Sequence, residues 1–170
     1  MPASTEYDLG SIAAAVITCS DRVIAGVKEN KAGLRCAQLL QEAGLGQVAT
    51  SVVAEDRSQL EAAVRQELAA GARLVIILGA SGFGLGNYSP EVVRSVIEVE
   101  IPGIAEQIRA YGLRSTPLSG LSREVVGVTA RDSSGALVLS SPGSVGGAGD
   151  TLEVLVPLLG AIYSQLDEER

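Results

Sequence analysis

The sequence predicts an α/β fold, a three-layer α/β/α sandwich around a mostly parallel central sheet. Three observations carry that prediction. Short, continuous apolar runs alternate with helical patterns. The helical patterns open on capping residues and close on glycine. Polar, glycine-rich loops follow the apolar runs on their C-terminal side. Strands covered on both faces read as unbroken aliphatic runs, and strands alternating with helices imply parallel crossovers.

The elements follow in order. Residues 1–10 are polar and form an expected flexible N-terminal segment ahead of a single domain over 11–167. Ile12 to Thr18 is a buried strand ending in Cys19-Ser20-Asp21. Ala32 to Ala43 is a helix stopped by Gly44. Val48 to Ala54 is a second strand ending at Glu55-Asp56. Ser58 to Ala70 is a helix, with Ser58 as its cap, Glu61 completing a capping box and Gly71 closing it. Leu74 to Leu78 is the next buried strand. Pro90 opens a helix capped by Ser89, and Gly103 to Tyr111 forms another. Val125 to Thr129 and Ala136 to Leu139 are strands joined by a turn, the expected departure from parallel order. A final helix runs from about Thr151 to Leu166.

Composition narrows the function. The 170 residues are 46% hydrophobic but only 3% aromatic, so Val, Ile, Leu and Ala must fill the core. A net charge of −7 leaves no basic surplus to displace counterions from a nucleic acid. The absence of histidine removes Ser-His-Asp and Cys-His mechanisms and His-ligated zinc. Two cysteines, Cys19 and Cys36, are too few for a disulfide framework and read as buried thiols. With no positively charged leader and no apolar stretch of about 18 residues, the expectation is a cytoplasmic protein without a membrane partner.

Ligands of open α/β sheets bind outside the carboxyl ends of the strands. Those ends carry Ser20-Asp21-Arg22, Glu55-Asp56, Gly79 to Asn87 and Ser140 to Ser144. The segment from Gly79 to Gly86 holds four glycines and a serine directly after a buried strand. Such a loop lets backbone N–H groups close around an anion. It is neither GxGxxG, because Asn87 takes the last position, nor a P-loop, because no lysine stands in the required place.

Six segments then resemble, in order, the molybdopterin adenylyltransferase-like domain family. They are Ser20-Asp21-Arg22, the Gly26-to-Gly33 loop, Gly79 to Pro90, Ile101-Pro102-Gly103, Leu121-Ser122-Arg123 and Pro142-Gly143-Ser144. The family's Gly-Gly-Thr-Gly, four residues, Asp, one residue, Thr-Pro is matched here by Gly79-Ala80-Ser81-Gly82, four residues, Asn87, Tyr88, Ser89-Pro90. The resemblance spans about Ile12 to Leu166.

It implies a trimer or hexamer that binds molybdopterin and adenylylates it with ATP and magnesium. The catalytic positions would be Asp56, also the magnesium ligand, Asn87 and Ser144. Pterin and nucleotide would be held by Ser20, Asp21, Arg22, Gly79, Ser81, Gly82, Ser89, Ser122, Arg123, Pro142 and Gly143. Read without the family, Asp56 equally suits the first turn of a helix. Tyr88 equally suits stacking or packing, while Lys28 and Lys31, which flank the first loop and could hold a phosphate, read first as solubilising loop cations. Asn30 and Asn87 stand where the family has aspartates, and an amide oxygen is a poorer magnesium ligand than a carboxylate. Val145 replaces a proline. These departures keep two alternatives open: a non-catalytic molybdopterin-binding homologue, and a scaffold or regulatory protein on the same fold.

Overall fold

The structure is a computed structural model and describes residues 7–169. In chain order it contains β1 (Ala13–Cys19), α1 (Asp21–Ile24), α2 (Lys31–Glu42), β2 (Gln47–Val53), α3 (Arg57–Ala69), β3 (Leu74–Leu78) and α4 (Ser89–Val96). Next come β4 (Val99–Glu100), α5 (Pro102–Gly112), β5 (Val126–Val128), β6 (Leu137–Ser141) and α6 (Val145–Leu166). The six strands form one sheet in the order β2-β1-β3-β6-β5-β4. The first four in that order are parallel, whereas β5 runs antiparallel to β6 and to β4. The sandwich and the late antiparallel pair are as the sequence predicts.

Alternation inside the apolar runs builds the layers. Ala14, Val16, Leu74, Ile76, Leu137 and Leu139 face one core, shared with Leu40 of α2, Ile108 of α5 and Leu155 and Leu159 of α6. Ala15, Ile17, Val75, Ile77 and Val138 face the other, against Leu60 and Val64 of α3 and Val92 and Val93 of α4. Each strand sends successive side chains to opposite faces, so an unbroken apolar run serves two cores. Cys19 and Cys36 are buried free thiols, and burial pushes both up to about 12. Helix α6 is long and apolar enough to cross a membrane. It packs instead on α2 and α5, with Leu152, Leu155, Leu159 and Tyr163 buried.

Several boundaries differ from expectation. Asp56, not Ser58, caps α3, accepting from the Gln59 N–H at 2.9 Å. Glu61 bonds Arg65 and Ser95 rather than reaching back to the cap. Ser89 is the first residue of α4 rather than its cap, which is Tyr88 without a side-chain bond. Helix α6 begins at Val145, because Ser144 caps the Gly147 N–H at 3.0 Å and the glycine-rich segment winds into its first turns. The four-residue α1, strand β4 and 3-10 turns at Leu9–Ser11 and Pro117–Leu121 were not anticipated. Of the N-terminal segment expected to be flexible, residues 1–6 lie outside the described residues. Tyr7 stacks near Tyr163 at 5.8 Å and donates to Asp167.

Candidate active site

The parallel strands β2, β1, β3 and β6 all end on one edge, and their loops meet there backbone to backbone. Gly79 has φ +96°, and a Cβ on it would lie 2.7 Å from the Cys19 carbonyl oxygen. A Cβ on Gly143 would lie 2.9 Å from the Gly79 Cα. Only glycine allows three strand ends to approach so closely. Ala80, next in the loop, is the sole non-glycine with positive φ (53°) among the described residues.

On one side of this contact lies a cleft of about 550 Å³, lined by Thr18, Ser20, Asn30, Glu55, Gly79, Ala80, Gly143 and Ser144 and by the cations Arg22, Lys28 and Lys31. Arg22 and Lys28 make no ion pair among the described residues, and Lys31 reaches only exposed Glu29 at 3.8 Å. Asn30 caps α2. Its Oδ1 accepts from the Gly33 N–H at 3.2 Å and from the Thr18 hydroxyl at 2.9 Å. Ser20 caps α1 through the Val23 N–H. Asp21 and Glu55 clasp the first two strand ends, each carboxylate accepting the other's backbone N–H at 2.9 and 3.3 Å.

On the other side lies a chamber of about 480 Å³, lined by Ser81, Gly82, Ser122, Glu124, Pro142, Ser144, Gly146, Gly147 and Asp150, with Ile108, Leu118 and Leu121 as apolar wall. Ser144 lines both spaces, and the first turn of α6 stands between them. That turn presents N–H groups without intrahelical partners to whatever bridges the two.

The glycine loop is held from behind. Asn87 Oδ1 accepts from the Gly82 N–H at 3.0 Å, and its Nδ2 donates to Leu85 O at 3.4 Å. Arg123 donates to Gly82 O at 2.7 Å and Asn87 O at 3.0 Å and pairs with both Glu91 oxygens at 2.8 and 3.0 Å. The guanidinium holds the Glu91 carboxyl below its ordinary value. Ser89 is fully buried and donates to Gly79 O.

The expected residues therefore divide. Ser20, Arg22, Gly79, Gly143 and Ser144 line the cleft, and Ser81, Gly82, Ser122, Pro142 and Ser144 line the chamber. Asp21 lies at the rim, engaged with Glu55. Asn87, Arg123 and Ser89 support the loop and line neither space, so the hydroxyl and the charge expected to meet an anion are turned to the protein's own carbonyls. Asp56 is exposed at its cap position, and Glu55 faces the cleft in its place. The sequence reading passed over Glu124 and Asp150. An acidic residue following Leu121-Ser122-Arg123 was the only available signal for the first.

Glu124 is 5% exposed, and burial pushes its carboxyl up to about 7, against the lowering influence of neighbouring Ser122, Arg109 and Thr151. Among the described residues, no three His, Cys, Asp or Glu side chains gather as a metal cage. Of the two acidic side chains at this strand end, Glu55 lines the cleft and Asp56 sits at its cap beside it, so a magnesium ion here would have to be held mainly through phosphates.

The described residues thus form a largely parallel sheet whose strand ends carry a glycine-rich, cation-lined cleft, the place where open α/β sheets take their ligands. Residues 15–161 match the family described as "Probable molybdopterin binding domain", and the chain belongs to that family. It is 30% identical over 151 residues to a molybdenum cofactor biosynthesis bifunctional protein of Synechococcus elongatus, covering 89% of this chain and 46% of that protein. The chain thus spans about half the length of the first such relatives it matches. It is 28% identical to a molybdopterin adenylyltransferase of Haemophilus influenzae, covering 81% and 70% of the two chains. The solved molybdopterin biosynthesis Mog protein of Mycobacterium ulcerans superposes with a TM-score of 0.83 at 32% identity, covering 91% of this chain and 99% of that one.

Proposed function

We propose that this chain binds molybdopterin across the strand-end site and adenylylates it with ATP and magnesium. The observation that carries this reading is the adjacency of two unlike spaces, a cation-lined cleft and an acid-lined chamber, sharing Ser144 at the head of α6. A polyphosphate suits the first, a nitrogen heterocycle the second, and the reacting phosphates fall between them. The pterin's terminal phosphate oxygen attacks the α-phosphorus of ATP. A new P–O bond forms, the bond to the bridging oxygen breaks, and pyrophosphate leaves with that electron pair. The chain contributes position and charge. Arg22, Lys28 and Lys31 offset the phosphates, and the Gly79–Gly82 backbone and first turn of α6 aim N–H groups at their oxygens. Magnesium, held beside Glu55 and Asp56, would neutralise charge building on those oxygens.

A second reading, cofactor holding without transfer, is favoured by Asn30 and Asn87, whose amides are committed to the protein's own backbone and hydroxyl groups. Molybdopterin titration followed by ATP and magnesium separates the two: pyrophosphate release supports transfer, and binding without release supports holding. Asp56→Asn sharpens the test. Asparagine caps a helix as well as aspartate, so stability should hold while release falls at least about tenfold if the charge serves magnesium. Undiminished release would restrict Asp56 to its cap.

A further inference from the structure

We propose that Glu124 reads the aminopyrimidinone edge of the pterin ring in the chamber beside α5 and α6, and so sets which heterocycle the site accepts. This rests on the pterin-binding reading above. The chamber is lined by two carboxylates, Glu124 and Asp150, and by no cation among the described residues.

Glu124 is short of donors. Thr151 Oγ1 lies 3.4 Å from Glu124 Oε2 and 3.0 Å from Gly147 O, so its single proton is contested and Glu124 is the more distant acceptor. Ser141 meets Thr151 at 2.9 Å and Pro142 O at 3.1 Å. Arg109, the nearest cation, donates to the main-chain carbonyl of Glu124 at 3.1 Å. Ser122 Oγ is buried beside it and lowers the Glu124 carboxyl only through a contact too poor in geometry to count as a full hydrogen bond. A buried carboxylate held this way costs stability until donors arrive.

A pterin supplies two adjacent donors on one edge, the ring N3–H and the 2-amino group, spaced to meet both oxygens of a carboxylate. Its remaining ring surface would lie against Leu118, Leu121 and Ile108, which form the apolar wall. Adenine offers one amino donor beside a ring acceptor and cannot satisfy an ionised carboxylate on both oxygens.

The test compares 6-hydroxymethylpterin with 6-hydroxymethyllumazine, which carries a carbonyl in place of the 2-amino group, by fluorescence titration of the full chain. The wild type should prefer the pterin by at least about tenfold, the usual effect of leaving a buried charged acceptor unmatched. Glu124→Gln presents one acceptor and one donor, matching lumazine, and should level or reverse the preference while ATP affinity stays unchanged. Equal weakening of both pteridines, or weakening of ATP alone, would overturn the assignment. If pterin binds but the preference ignores position 124, only this inference fails. If neither pteridine binds a wild-type protein that melts cooperatively, the pterin-binding reading fails with it.

Discussion

Asn87 shows how one side chain can build a site without facing it. Its carbonyl holds the Gly82 N–H and its amide reaches Leu85 O, so both ends close the glycine loop on itself. Asn87→Ala should cost about 1–2 kcal/mol in urea unfolding, since a partly buried N–H loses its acceptor. Asn87→Asp keeps that acceptor and sets a carboxylate oxygen against Leu85 O, so it should cost less. If charge at this position limits magnesium binding, the same variant should raise pyrophosphate release and shift its magnesium dependence. An unchanged rate would confine Asn87 to the loop. Sequence spacing placed Asn87 at the loop but not its direction, and the resemblance set Arg123 among the ligand-holding residues, not behind the loop. Asn and Asp bond to nearby backbone as readily as to a ligand. The Arg123 pairing with Glu91 crosses 32 residues that spacing does not connect.

At the scale of elements, the apolar strands were legible because burial on both faces leaves no other pattern, whereas the helix starts were not. Ser58 and Glu61 offered a capping box, yet Asp56 supplied the nearer acceptor and took the cap. Glycines at 146, 147 and 149 argued for a loop on propensity, but Ser144 and the packing of α6 on α2 and α5 override them. Two of these glycines should respond in opposite directions. A Cβ on Gly149 meets nothing within 4 Å, so Gly149→Ala should stabilise the protein by about 0.5–1 kcal/mol through helix propensity. A Cβ on Gly147 would lie 2.6 Å from the Pro142 Cβ and 2.9 Å from the capping Ser144 Oγ, so Gly147→Ala should destabilise despite the same propensity gain. Paired urea melts read the signs directly. Stabilisation by both would mean that the Pro142 turn is not held against α6.

Across the whole molecule, opposing carboxylates shape the dependence of stability on pH. The Arg73 guanidinium beside Asp167 and the Arg123 guanidinium beside Glu91 hold those carboxyls below their ordinary values. Their contribution is present above the ordinary carboxylate range and is lost as pH falls through their folded values. Glu124 acts in the reverse sense. Its folded value of about 7 lies above the ordinary 4.5, so between those limits the folded protein keeps a proton that the unfolded chain has released. Stability must therefore fall as pH rises across that window and level off above it, by on the order of 3 kcal/mol at most. Urea midpoints at pH 5, 6, 7 and 8 should decline for the wild type, and Glu124→Gln should remove most of that decline. The net charge of −7 adds self-repulsion that deepens with pH in both proteins, so the difference between them isolates Glu124. Matching declines would assign the effect to self-repulsion alone. A ligand that brings donors to Glu124 stabilises its ionised form, so the rise in Tm with saturating 6-hydroxymethylpterin should grow from pH 5 to pH 7, where the ring N3–H is still in place, in the wild type and stay flat in Glu124→Gln.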